Sequence, residues 1–230
     1  MDQRPRGAGL SAGAGLRAHG ATRVSVRPES YAIGPYRPIV KLSSGLKARA
    51  QGARPLAVRL DRHQMKPMDL ALLRPNVGIV LFSPTGAVWL GRRANTPAPY
   101  NWQFPQGGID AGEGDLDAAI RELREETGVR SVRLLARTRD WIGYEFPPGH
   151  RGSKVGKGWR GQKQIWFAFV FEGKDSEIDL EAHGEIEFDS WRWADIDEAL
   201  EAVVAFKRDT YVQVVNAFRP LADALRESKA

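Results

Sequence analysis

The chain has 230 residues, 42% of them hydrophobic, no cysteine and a formal net charge of +6. The lack of cysteine excludes a disulfide framework and any thiolate metal site, and it points to a reducing compartment, the cytoplasm. No uninterrupted apolar run approaches the ~18–20 residues that a membrane span needs, so no membrane partner is expected.

The charge is unevenly spread. Residues 1–64 carry 12 Lys and Arg against 3 Asp and Glu, whereas residues 65–230 carry 22 against 25 and hold all seven tryptophans. The sequence pI near 9.7 therefore reflects the first stretch and is no argument that the remainder binds nucleic acid. That stretch is rich in Gly, Ala, Arg and Ser and shows no sustained helical or strand period. It has too little apolar surface to offset ~1–2 kcal/mol of backbone entropy per residue. Residues 1–68 are therefore expected to be a disordered basic extension, with the folded domain over 69–230. Three readings of the extension stay open. It fits a transit-type peptide, a basic tail that touches nucleic acid or a membrane, or an artefact of start-site choice upstream of Met65 or Met68. Its run G-A-G-L-S-A-G-A-G-L has neither a Gly-Lys-Ser/Thr ending nor a strand before it, so it is no phosphate loop.

From residue 75 the pattern becomes orderly. Residues 77–82 form a short apolar run, 83–86 (S-P-T-G) a turn and 87–93 a second strand, which together predict a hairpin. Residues 102–105 predict a brief strand feeding a Gly107-Gly108 turn, and a helix is expected from about 114 to 127. Strands are expected over 132–136, 141–146, 164–171 and 191–193. Between them, the loop 147–163 carries Arg151, Lys154, Lys157, Arg160 and Lys163 around Trp159, a set able to guide a polyphosphate. Within it, residues 152–158 (G-S-K-V-G-K-G) are no phosphate loop either, because Gly follows the Gly-Lys and no helix pattern follows. Asp195 is expected to cap a helix over 196–205, and 208–225 has apolar residues at helical spacing. Strands around one long internal helix, with helices at the end, indicate an α/β layered domain.

The most informative stretch is residues 107–129, G-G-I-D-A-G-E-G-D-L-D-A-A-I-R-E-L-R-E-E-T-G-V. At about 100° per residue, Glu122, Glu125 and Glu126 share one helical face, while Leu116, Ile120 and Leu123 share another. Neighbouring carboxylates on a helix repel by roughly 0.2–0.5 kcal/mol per pair unless something compensates. Hard oxygen ligands of this kind suit Mg²⁺ or Mn²⁺, which in turn grip phosphate oxygens. A lone E-x-x-E-E would read first as a solvated face. Here a Gly-Gly turn and Glu113 precede the helix and Gly128 closes it at a plausible C-cap, which favours a metal site.

The stretch fills every defined position of the Nudix box, and the chain resembles the Nudix hydrolases. The likeness extends to R-P-N-V-G-I-V at 74–80, W-Q-F-P-Q-G-G at 102–108, G-Q-K-Q-I-W-F at 161–167, E-F-D-S-W-R-W at 187–193 and F-K-R-D-T-Y at 206–211. In combination these resemble the bacterial RNA pyrophosphohydrolases of that family, over about 74–218. W-Q-F-P-Q-G-G-I-D and the Pro-bearing segment 92–101 are also similar to diadenosine tetraphosphate hydrolases. The resemblance implies an α/β/α sandwich around a mixed sheet, with the box as a loop-helix-loop that holds divalent metal. It implies Glu122, Glu125, Glu126 and Glu187, with Gly107, as metal ligands, and Glu125, Glu126 and Glu187 as the catalytic acids. Gly107, Glu113, Arg121 and Gly128 would shape the motif. Arg74 and Lys207 match positions that contact the phosphate chain, and Arg93 and Phe206 match positions that engage a base. Expected substrates are RNA 5′ ends or dinucleoside polyphosphates; no obligatory protein partner is inferred.

Overall fold

The computed structural model describes residues 56–58, 68–149, 158–184 and 186–228. The three readings of the N-terminal extension, and the loop residues Arg151, Lys154 and Lys157, lie outside the described residues.

Nine strands form one mixed sheet among the described residues: β1 Leu56–Val58, β2 Leu73–Phe82, β3 Val88–Arg93, β4 Trp102–Gln103, β5 Gln106–Gly108, β6 Val132–Thr138, β7 Ile142–Glu145, β8 Gly161–Phe171 and β9 Phe188–Ala194. Helix α1, Asp115–Thr127, follows β5, while α2, Glu198–Ala202, and α3, Arg208–Glu227, follow β9. The main path runs β1-β6-β8-β2-β3-β4, with β5 on β2, β7 on β8 and β9 on β3. β2 and β8 pair in parallel from Leu73 opposite Gly161 to Phe82 opposite Val170. Central strands buried on both faces read as continuous apolar runs, which is what I-V-L-F at 79–82 and I-W-F-A-F-V-F at 165–171 are.

Alternation along these strands divides the core into two layers. Val77, Ile79, Leu81, Phe167 and Phe169 pack with Ala118, Ala119 and Leu123 of α1 on one face. Val80, Phe82, Trp166 and Ala168 pack with Tyr211, Val214, Val215 and Phe218 of α3 on the other. A mixed sheet between helical layers is the α/β sandwich expected. Tyr211 ties α3 to the approach to the site. Fully buried, it stacks on Phe104 at 5.2 Å, and its hydroxyl accepts a hydrogen bond from the Phe104 amide at 2.9 Å.

Two expectations are corrected. The helix drawn over 196–205 is a five-residue helix, Glu198–Ala202, followed by a separate 3₁₀ turn at Ala205–Lys207. Val203 breaks it by adopting an extended backbone (φ −83°, ψ 149°), and the Asp195 carboxylate accepts the Asp197 amide in the turn ahead of it. Within the stretch expected to lack structure, Leu56–Val58 forms a strand parallel to β6, with Leu56 opposite Ala136. Three residues suffice because the partner strand supplies the ladder.

Candidate functional site

The site is built where two consecutive glycines of β5 meet groups of opposite charge. A Cβ on Gly107 would fall inside the Glu122 carboxylate, and one on Gly108 would fall on the Arg74 guanidinium. Pairing of Val77 with Gly107 and of Asn76 with Gly108 holds both against β2, so neither glycine can move aside. Only hydrogen at these two α-carbons lets a carboxylate and a guanidinium approach the same turn.

Helix α1 presents the acids. Asp115 and Asp117 lie in its first turn, where negative charge complements the helix dipole, and Gly128 closes it in the left-handed region (φ 76°) with its amide bonded to Arg124 O. Leu123 is buried while Leu116 and Ile120 pack half-buried against the α1-side layer, so the opposite stripe carries the charges. Arg121 is their hub. Its Nε and Nη2 each donate to the Glu113 carboxylate at 2.8 Å, Nη1 donates to Glu122 at 2.9 Å and to Glu125 at 3.0 Å, and Nη2 also reaches Gly108 O at 2.8 Å. The hydrogen bonds from Arg121, joined by one from the Asp110 amide, hold the Glu113 carboxyl below its ordinary pKa despite partial burial. The same pairing raises Arg121 further above its already high value. Glu126 accepts the Gln106 amide at 3.0 Å.

Among the described residues, no three His, Asp or Glu side chains converge on one ion position. Of the four acids expected to act together, Glu122 and Glu125 share Arg121, Glu126 accepts the Gln106 amide and Glu187 pairs with Arg93. Glu187 meets Arg93 at 2.9 Å, and both side chains are about a third or more exposed, at 36% and 42%. The donor set itself, hard carboxylate oxygens beside the glycine backbone of β5, fits a divalent cation. Arg121 is the counter-charge in this arrangement.

The face of the sheet opposite α1 carries a polar wall that sequence reasoning missed except for its cations. Arg74 and Asn76 on β2 lie opposite Gln162 and Gln164 on β8. Gln164 Nε2 donates to Gln106 Oε1 at 2.9 Å, and the Tyr144 hydroxyl donates to Gln162 at 2.7 Å. Burial pushes the Tyr144 hydroxyl pKa up, so it stays protonated. Arg74 Nη1, both amide atoms of Asn76, Gln103 Nε2 and Gln164 Oε1 are buried with no hydrogen-bond partner among the described residues. Leaving such groups unsatisfied costs roughly 1–3 kcal/mol each, so the wall is suited to a polar occupant. Polar residues at alternate positions on otherwise apolar strands, R-P-N and Q-K-Q, were the available signal.

Lys207 belongs to this wall. It is only 5% exposed, donates to Gln103 Oε1 at 2.9 Å and lies 5.8 Å from the Tyr144 ring, so it is no solvated surface charge. Phe206 is half-buried, its ring 5.7 Å from that of Tyr144. Phe206 and Lys207 thus both border the Tyr144 ring. The loop after Arg93 holds Asn95 and Tyr100 at positive φ (55° and 71°) and leaves Tyr100 57% exposed.

The family description "NUDIX domain" matches residues 72–214, a span that contains every residue of this arrangement. This chain belongs to the Nudix family. Nudix hydrolases generally use divalent metal ions, in keeping with the acid-rich helix. Among its relatives, the RNA pyrophosphohydrolase of Caulobacter vibrioides (strain NA1000 / CB15N) is 58% identical over 159 residues, which cover 69% of this chain and 92% of that protein. The RNA pyrophosphohydrolase of Bartonella quintana (strain Toulouse) is 47% identical over 152 residues, 62% of this chain and 88% of that one. A solved C. elegans Ap4A hydrolase binary complex superposes with a TM-score of 0.48 at 18% identity, covering 66% of this chain and 98% of that chain.

Proposed function

We propose that this Nudix protein hydrolyses the phosphoanhydride chain at RNA 5′ ends in the cytoplasm, converting a tri- or diphosphate to a monophosphate and so initiating mRNA decay. The observation that carries the reading is the pair of glycines at which the acidic box and the cationic wall meet. Glu122 lies against one face of this short strand and Arg74 against the other. The Caulobacter and Bartonella relatives support the choice of substrate.

Glu122, Glu125, Glu126 and Glu187, with the Gly107 carbonyl, would hold Mg²⁺ or Mn²⁺, which would supply charge stabilisation for the phosphates and a more acidic water. Arg121 must then yield its contacts with Glu122 and Glu125, while its two bonds to Glu113 keep it anchored. Arg74 and Lys207 bind and orient the phosphate chain from the wall. One of Glu125, Glu126 and Glu187 accepts the proton of the attacking water. The water oxygen joins phosphorus as the anhydride P–O bond breaks, and the leaving phosphate or pyrophosphate carries away the bridging oxygen. Arg93 and Phe206 present a guanidinium plane and a ring edge to a base.

The same chemistry on a dinucleoside polyphosphate is the second reading. Exposed Tyr100, on the loop that adjoins Arg93, favours it by offering a face for a second base. Incubating the full chain with 5′-triphosphorylated RNA and Mg²⁺ tests the first reading. It requires a monophosphorylated end and released pyrophosphate or phosphate, both abolished by Glu126→Gln. Intact triphosphate ends after exhaustive incubation would overturn it.

A further inference from the structure

β7 leads from the polar wall to a second feature. Tyr144 borders Phe206 and Lys207, and its ring also meets Phe146 edge-on at 6.0 Å. Phe146 forms part of a cleft of about 380 Å³, lined also by Glu145, Pro147, Pro148, Trp159 and Arg160. The Phe146 amide donates to Arg160 O at 2.8 Å, which joins the two sides of the cleft where β7 ends and β8 begins. Among the described residues its lining is otherwise Gly149 and one exposed ion pair, Arg160 with Glu145 at 3.3 Å. The volume is at the small end of ligand pockets, which run roughly 300–1,000 Å³.

We propose that this cleft is a stacking subsite for a nucleobase downstream of the first two nucleotides of a single-stranded RNA. Three observations select that occupant. Aromatic faces with a neighbouring guanidinium accept any base through its π-face, without base-specific hydrogen bonds. The Arg160 side chain, 61% exposed, is placed to meet the strand's phosphates. The cleft is also continuous with the proposed site, because Tyr144 and Phe146 are two residues apart on an extended segment, roughly 7 Å. The inference rests on the RNA 5′-end reading and deepens it. A dinucleoside polyphosphate has no third base, so this subsite serves RNA alone.

Two measurements separate the subsite from the reading beneath it. The first is the ratio of kcat/KM on a 5′-triphosphorylated hexaribonucleotide to that on the dinucleotide pppNpN. The second is binding of a fluorescein-labelled hexaribonucleotide with a 5′-hydroxyl, followed by anisotropy without any hydrolysis. Trp159→Ala should lower the ratio and weaken hexamer binding by about tenfold, a typical loss for one stacked base. Trp159→Phe should restore most of both. Unchanged hexamer binding and an unchanged ratio in Trp159→Ala would overturn the subsite, even if triphosphate ends are hydrolysed normally. If Trp159→Ala weakens hexamer binding while wild type leaves triphosphate ends intact, the subsite stands and the 5′-end reading falls.

Discussion

Arg121 grips Glu113 with two parallel hydrogen bonds of 2.8 Å, a fork-to-fork pair with the Glu113 side chain only 17% exposed. The same guanidinium reaches Glu122 and Glu125, so one cation bridges three carboxylates and offsets part of their charge. Arg121→Ala should therefore destabilise the domain by about 1–3 kcal/mol, below the range for a fully buried pair because water still reaches the cluster. Added Mg²⁺ should recover part of the loss by supplying the missing charge. Urea melts with and without metal check this, and a variant as stable as wild type without metal would contradict it.

Acid titration gives an independent check on the same pair. The Glu113 pKa is lowered in the folded state, first by the Arg121 hydrogen bonds, from an ordinary value of 4.5. A depressed carboxylate contributes stability fully above its unfolded pKa and loses it as pH falls through the folded value. Stability contributed by this pair should thus decline as pH drops below about 4.5. Stability of Arg121→Ala should change less steeply than wild type over that window, as measured by urea melts at stepped pH.

Gly107→Ala tests the turn. The new methyl would collide with the Glu122 carboxylate while β2 pairing prevents retreat. Gly107 has no positive φ, so the cost is steric, roughly 1–3 kcal/mol. The metal-induced rise in Tm should fall with it, since Glu122 must leave its place. A variant with wild-type stability and a full metal response would show that the close approach is unimportant.

Lys207→Met keeps the buried stem and removes the charge. Folding should survive, with Tm shifted by only a few degrees. A charge-assisted hydrogen bond to a phosphate is worth about 1.5–3 kcal/mol, so kcat/KM should fall about 10- to 150-fold. Unaltered kinetics would remove Lys207 from the phosphate wall.

The Arg93–Glu187 ion pair has both partners partly exposed, and a double-mutant cycle in urea should give a coupling of only about 0.2–1 kcal/mol. Its effect should be on substrate choice instead. Arg93→Ala is expected to reduce activity on RNA ends more than on diadenosine tetraphosphate, and equal losses would argue against a base contact.

How much of this was legible in the sequence depends on how local each signal is. The box helix was legible because its acids, its apolar stripe and its closing Gly128 lie within one short segment. The two-layer core was legible from the apolar runs of β2 and β8. The polar wall was not, because Gln162 and Gln164 occupy the start of an apolar strand and acquire meaning only opposite Arg74 and Asn76. Lys207 stands in the sequence only as a match to a phosphate-contacting position. Its amide partner, Gln103, is 104 residues away, and only the fold shows that the lysine is buried. Helical spacing put Glu122, Glu125 and Glu126 on one face and the resemblance added Glu187, but their pairing with Arg121 and Arg93 leaves no periodic trace. The overlong helix at 196–205 failed for a similar reason, since Val203 takes an extended backbone that an apolar period cannot reveal.

The most direct test of the central claim compares kcat/KM for 5′-triphosphorylated RNA and for diadenosine tetraphosphate, in Mg²⁺, with Glu125→Gln beside wild type. The account predicts at least a tenfold preference for the RNA end, ~1.4 kcal/mol of transition-state discrimination, and loss of both activities in Glu125→Gln. A preference for the dinucleotide, or turnover that persists without Glu125, would contradict it.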